Sequence, residues 1–309
     1  MKSAVVWFSV LLLLVSVGCN KRQGSDIRSG TLTVLVTDSY LPLVQQMAAD
    51  YHGQFPDAVL TVRGTTTRGA IVDMVNDSVR CIVVDRRLND EEEGVVRRAE
   101  LRVVETEVAH DGLAILLHPQ NKLSSISMDV LRSILSGDVA LWSKVKGSGL
   151  NGAIELCLTG RNSGLYEMVT HNFFRLQKDL SLAAVAPSQN SVIQYVAAHQ
   201  EALGIVSFAQ WKDTSNASDA QGKKRVRMLD MLAPDSVGVM TAVKLSQQSI
   251  YNKEYPLTYS LYIYTSEKMP GAGHGFSAYM EGEMGQRAFL YAGLVPKHMP
   301  YRTIQLTQK

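Results

Sequence analysis

Short β-branched apolar runs alternate with amphipathic stretches of helical spacing along the first 110 residues of the chain. Residues 31–36 (TLTVLV) read as a first strand, because β-branched positions alternate with leucine. Pro42 then opens a helix running to about Tyr51, with Leu43, Met47 and Ala48 on one face. Residues 58–62 (AVLTV) form a second strand, followed by the polar turn 64–69 and a helix over about 70–76. Ile82, Val83 and Val84 are a wholly apolar third strand, as expected for one buried on both faces. Asn89 stands where an N-cap belongs, ahead of an acidic helix over 90–99. Residues 101–107 make a fourth strand. Strand and helix in strict alternation predict an α/β fold with a parallel sheet covered on both faces.

From residue 108 the texture changes. A strand over 113–117 follows Asp111 and Gly112, and Pro119 ends it. A helix over 128–135 stops at Gly137, and strand 154–158 runs into the polar stretch 159–164 and a helix around 166–176. Helix 191–200, strand 204–208 and the long strand 255–264 (YPLTYSLYIY) come next, and 275–294 is mostly helical. Residues 228–231 and 237–245 carry weaker signals, and 214–222 reads as a polar loop.

The beginning of the chain has a different character. Lys2 precedes an apolar run from Ala4 to Val17, then Gly18, Cys19 and the polar Asn20 to Gln23. Fourteen residues fall short of the about 20 a spanning helix needs, but they suit a signal peptide's apolar core. Val15-Ser16-Val17-Gly18-Cys19 resembles the lipobox of bacterial lipoproteins, with Ser16 where leucine is usual. That resemblance implies removal of residues 1–18, acylation of Cys19 and a tether over 19–30; the alternative is an ordinary secretory signal. The other two cysteines, Cys81 and Cys157, sit in apolar strand-like runs and read as buried free thiols.

Composition narrows the function. The chain has 309 residues, 46% hydrophobic and 19% charged, which suits a soluble protein with room for two cores. A net charge of +2 gives no electrostatic footprint for nucleic acid. The seven histidines are scattered without metal spacing, no glycine-rich cofactor fingerprint occurs, and no nucleophile–base pair is legible. No cofactor and no catalytic residue are expected.

The chemistry gathers at strand ends. The third strand delivers Asp85 and Arg86 at its carboxyl end, where open α/β sheets place ligand crevices. The pair is either a surface ion pair or part of a site. Three more polar stretches (37–40, 65–69 and 161–164) offer Ser, Thr or Gly beside a strand end or helix start. Hydroxyls and helix-start N–H groups are the donors a small oxyanion needs.

The order of these segments resembles the substrate-binding protein of phosphate ABC importers, within the type II periplasmic-binding-protein fold. The resemblance runs from Thr31 to about Gln305 and rests on eight segments in order, none decisive alone. They include Thr37-Asp38-Ser39-Tyr40-Leu41-Pro42-Leu43, Thr65-Thr66-Thr67-Arg68-Gly69, Asp85-Arg86-Arg87-Leu88 and Asn162-Ser163-Gly164. It implies two α/β lobes joined by two crossover strands, with ligand held in the cleft: lobe one over 30–110 and 257–309, lobe two over 111–256. It implies a monomer that passes inorganic phosphate to the permease subunits of an ABC transporter, outside the cytoplasm and held to a bacterial membrane by lipidated Cys19. Thr37, Ser39, Thr67, Arg86, Arg161, Ser163 and Gly164 would then donate to the ligand. Asp85 would accept the proton that phosphate carries and sulfate lacks.

Three departures from the family pattern bear on the ligand. Leu165 replaces a threonine in the Ser-Gly-Thr turn. Arg161 stands closer to Ser163 than the family's arginine does, so it either approaches the ligand from another angle or faces solvent. Asp38 adds a carboxylate to the first turn, pointing either into the cleft or away from it. Another oxyanion or small acid, or a surface lipoprotein that kept the fold without transport, are the competing readings.

Overall fold

The structure is a computed structural model, described here for residues 26–176, 179–213 and 226–300. Cys19, the leader before it, most of the tether and the polar loop at 214–222 lie outside the described residues.

Among the described residues there are ten α-helices, three short segments of other helical winding and thirteen strands. The first part runs β1 (Gly30–Thr37), α1 (Leu41–Gln54), β2 (Ala58–Thr65), α2 (Thr67–Val75), β3 (Cys81–Val84), α3 (Asp90–Arg98) and β4 (Val104–Leu117). Then come β5 (Ser125–Ser127), α4 (Met128–Leu135), β6 (Glu155–Thr159), α5 (Gly164–Glu167), β7 (Ala184–Ala186), α6 (Gln189–Ala198), β8 (Ala202–Ser207) and α7 (Phe208–Asp213). The remainder is β9 (Arg227–Met228), β10 (Asp230–Pro234), β11 (Met240–Val243), α8 (Gln247–Tyr251), β12 (Thr258–Thr265), α9 (Ala272–Glu281), α10 (Glu283–Tyr291) and β13 (Val295–Pro296).

The main sheet has the order β2-β1-β3-β12-β4-β8-β6-β7. β1 pairs in parallel with both β2 and β3, as the alternating pattern requires. The fourth strand is not their neighbour. β12, from late in the chain, inserts antiparallel between β3 and β4, so the expected parallel sheet is mixed. β10, β11 and β5 form a small second sheet out of the weakly patterned region.

The two strands expected at 101–107 and 113–117 are one strand of 14 residues. Its first part, through Gly112, pairs with β12, and Leu113 to Leu117 pair with β8. Asp111 and Gly112, expected to precede the second of these strands, lie within the single strand and mark the passage between its partners. Gly112 is small because a side chain there would strike Leu245, with a Cβ 2.7 Å from its methyl carbon.

The cores divide at the same place. Val34, Val83, Val108, Leu261, Ile263 and Phe276 share one cluster, with Ile71, Ile82 and Tyr264 packed on the other face of that sheet region. Leu113 to Leu117, Trp142, Leu156, Ile193, Leu203 and Leu257 share the other. The chain therefore crosses between halves near residues 109–113 and again near 257–261. Cys81 and Cys157 are free and buried, one in each. Among the described residues, no helix is long and apolar enough to cross a membrane.

Local signals explain several boundaries. Asn89 caps α3 in a reciprocal capping box with Glu92: Glu92 N–H donates to Asn89 at 2.9 Å, and Asn89 N–H donates to Glu92 at 2.8 Å. Gly137, at φ +79°, ends the turn after α4. The helix expected around 166–176 is only four residues of α-helix followed by a wider-wound segment over Met168–Phe173.

Candidate functional site

The crevice lies between the two halves, where β1, β3 and β6 end. Its volume is about 410 Å³, and it is lined by Thr37, Asp38, Ser39, Thr65, Thr66 and Asp85 from one side. Residues 159–165, 186–189 and Gln210 line it from the other.

Asp85 follows the last residue of the buried strand β3 and is only 2% exposed. Thr67, the first residue of α2, donates its hydroxyl to Asp85 Oδ1 at 2.7 Å, and Thr37 Oγ lies 3.0 Å from Thr67 Oγ. Burial pushes the Asp85 carboxyl up to about 6; the Thr67 hydroxyl, its own backbone N–H and the Arg86 charge pull the other way, while Glu167 adds to the rise. Above that pH the group is a fixed, acceptor-only carboxylate at the edge of the cleft. Thr67 itself is fully buried behind Asp85 and acts through it.

The opposite wall is the turn after β6. Ser163 caps α5: its Oγ accepts from Tyr166 N–H at 3.2 Å and is 2.8 Å from Thr159 Oγ. Gly164 comes next and presses on the carboxylate. A Cβ there would lie 2.0 Å from Asp85 Oδ1 and 2.4 Å from Thr67 Oγ, so only glycine permits this approach.

The other expected residues fall in different places. Ser39 lines the cleft. Arg161 lines its mouth, with the side chain 70% exposed and its guanidinium 2.8 Å from Asp179. Asp38 faces the cleft, where burial raises its carboxyl above the ordinary value. Arg86 is the exception. Its guanidinium turns behind the cleft, donates to both oxygens of Glu92 at 2.8 and 2.9 Å, and reaches Glu167 at 2.5 Å. Its charge is neutralised there, and it ties the β3 loop to α5 across the two halves.

Two arrangements escaped the sequence. Gln189, the first residue of α6, has its carbonyl fixed by Ser207 N–H at 2.6 Å. Its amide nitrogen must therefore point at the cleft, where it donates to Ser39 Oγ at 2.5 Å. The available signal was Ser188, which caps α6 by accepting from Ser191 N–H at 3.2 Å; the helix begins two residues earlier than its apolar pattern suggested.

Asp111 is the second. It is fully buried at the crossing point of β4 and accepts from Tyr40 at 2.9 Å, Tyr259 at 3.3 Å, Gly112 N–H at 2.7 Å and Ala209 N–H at 3.3 Å. Burial lifts its carboxyl to about 6 against these donors. This carboxylate joins the first turn, both crossing segments and the start of α7.

Arg161 is the cleft's single cation against Asp38 and Asp85 among its described lining residues. Anion binding here must rest on hydroxyls and on backbone N–H groups at helix starts rather than on net positive charge. A two-sided α/β crevice of this kind, walled by hydroxyls, turns and one sequestered carboxylate, defines a binding protein for a small polar ligand.

Comparison with known proteins gives the family. Residues 22–283 match the family model described as the PBP superfamily domain, and the chain belongs to that family. Among its relatives, Protein SphX of Synechococcus elongatus is 22% identical over 275 residues, covering 87% of this chain and 78% of that protein. The phosphate-binding protein PstS of Bacillus subtilis is 23% identical over 269 residues, covering 87% and 81%. Among solved structures, a putative phosphate ABC transporter substrate-binding protein from Clostridium perfringens with bound phosphate superposes with a TM-score of 0.71. It is 16% identical, over 87% of this chain and 100% of that one. An ABC-type phosphate transport receptor from Vibrio cholerae gives 0.67 at 18% identity, over 86% and 100%. By name, PstS is a phosphate-binding protein and the two solved structures are a substrate-binding protein and a transport receptor; both structures share the mixed α/β fold described above.

Proposed function

We propose that this protein captures inorganic phosphate between two lobes outside the cytoplasm and delivers it to an ABC permease, as a monomer held to the membrane through lipidated Cys19. The core boundaries support lobes over 30–110 with 257–309, and over 111–256. The names of the relatives support the ligand and the transport role.

The observation that carries the ligand is Asp85. A buried carboxylate has no proton of its own to give above about pH 6, so it can only accept. Hydrogen phosphate brings a P–O–H to meet it. Sulfate at neutral pH brings only lone pairs, and two sets of lone pairs facing each other in a desolvated site repel. Around the remaining oxygens, hydroxyls of Thr37, Ser39 and Ser163, the amide of Gln189 and the N–H groups at Gly164 serve as donors, with Arg161 at the mouth. Arg86 keeps the turn carrying Asp85 joined to α5 rather than touching the ion.

The experiment is isothermal titration of the full chain in detergent, stripped of ligand by unfolding and refolding, with phosphate and then sulfate. Phosphate binding without sulfate binding, lost in Asp85→Ala, is the expected result. A folded protein that binds neither, or binds sulfate equally well, refutes the assignment. Metabolic labelling with a radioactive fatty acid, lost in Cys19→Ser, tests the anchor.

A further inference from the structure

The Asp111 carboxylate lies behind the crevice wall, and its partners lead to groups that form that wall. Its Oδ2 accepts from the Tyr40 hydroxyl at 2.9 Å and from the Tyr259 hydroxyl at 3.3 Å. Its Oδ1 accepts from Gly112 N–H at 2.7 Å and from Ala209 N–H at 3.3 Å. Two of these donors sit on segments that carry a cleft-lining side chain. Tyr40 directly follows Ser39, which lines the cleft. Ala209 stands two residues after Ser207, whose N–H fixes the Gln189 carbonyl at 2.6 Å and so aims the Gln189 amide into the cleft. Gln210 N–H also donates to Ser207 Oγ at 3.2 Å, which braces the start of α7 against the same serine. Ser39 and Gln189 then meet, 2.5 Å apart.

One carboxylate therefore holds the supports of both members of the Ser39–Gln189 pair. If Tyr40 and Ala209 moved apart, a fully buried charge would lose donors, which is costly. Stability alone does not call for a carboxylate at this place. Its four donors are neutral groups, and burial lifts it to about 6 against them, so the empty protein keeps a buried charge at neutral pH.

We propose that Asp111 is a positioning residue for the ligand: through Tyr40 and Ala209 it sets the places of Ser39 and Gln189, so that both reach the same phosphate. This rests on the phosphate reading above. Asp111 does not touch the ion; it acts on the groups that do. Asp111→Asn leaves one acceptor oxygen for four donors. Tyr40→Phe removes a single hydroxyl and keeps the ring.

The test is isothermal titration of the refolded full chain in detergent with inorganic phosphate, with the folding of each variant checked by circular dichroism. Asp111→Asn and Tyr40→Phe each bind phosphate at least about fivefold more weakly than the parent. In a Ser39→Ala background, Tyr40→Phe changes the affinity by less than about twofold, because the group it positions is gone. A general loosening of the molecule gives the same loss in both backgrounds, and that result overturns the proposal. Parent-like affinity in either folded variant also overturns it, while leaving the phosphate reading standing. If Asp111→Asn does not fold, Tyr40→Phe in the two backgrounds decides alone. A folded parent that binds no phosphate overturns the phosphate reading and this proposal with it.

Discussion

Asp85→Asn separates the stability of the empty protein from its function. The substitution keeps the shape, and the amide oxygen can still accept from Thr67 at the 2.7 Å position. What it removes is a charge buried to 2% exposure. The Asp85 carboxyl is lifted from 3.8 to about 6, chiefly by burial. A raised folded-state value means the folded protein holds the proton more tightly than the unfolded chain. The empty protein therefore loses stability as the pH rises from 3.8 to about 6, and carries the full penalty above that. At about 1.4 kcal/mol per tenfold change in acid constant, the penalty is about 3 kcal/mol at pH 7.5 and about 1 kcal/mol at pH 4.5. Urea unfolding of ligand-free protein reads it directly: Asp85→Asn is more stable than the parent by about those amounts at the two pH values. Phosphate titration of the same samples shows the cost, a loss of roughly tenfold to a hundredfold in affinity for one charge-assisted hydrogen bond. An asparagine variant less stable than the parent at pH 7.5 would refute the claim that the site stores an unfavourable buried charge.

Three further substitutions test the surroundings. Gly164→Ala puts a methyl group 2.0 Å from Asp85 Oδ1, so the turn must retreat and phosphate affinity falls by roughly a hundredfold in titration; parent-like affinity would disprove the close approach. Arg86→Met leaves Glu92 and Glu167 facing each other without their cation, at a cost of about 3–5 kcal/mol in urea unfolding, part of which Glu167→Gln restores in the double variant. An unchanged midpoint would count against Arg86 as the tie between halves. Gln189→Glu keeps the acceptor that holds Ser207 N–H but turns a carboxylate toward Ser39, so phosphate affinity drops at least about tenfold while the unfolding midpoint moves little. Undiminished binding would place the ligand away from α6.

Much of the site was legible in short stretches. The apolar run 82–84 announced a strand buried on both faces, and its end announced Asp85 at a crevice. Asn89 announced the start of α3, and the polar stretch 161–164 announced a turn and a helix start beside the cleft. Each is a signal carried within a few residues, where spacing alone fixes the backbone. Arg86 was misjudged for the opposite reason. An arginine beside an aspartate at a strand end has two directions to turn, and the one it takes depends on Glu167, 81 positions away. Gln189 was invisible because nothing near it says that Ser39, 150 positions earlier, stands opposite.

By itself, then, the sequence determined the local elements, the alternation that makes an α/β protein, and the identity of the groups at the strand ends. Periodicity and capping act over one turn or one pleat, and they leave a mark in neighbouring residues. The tertiary structure alone decided that β12 separates β3 from β4, that one 14-residue strand serves both halves, and that Asp111 is gripped by Tyr40, Tyr259 and Ala209. It also decided which carboxylate is sequestered and which faces the ligand space. Those outcomes depend on desolvation and on partners far apart in the chain, and neither exists until the two halves have packed.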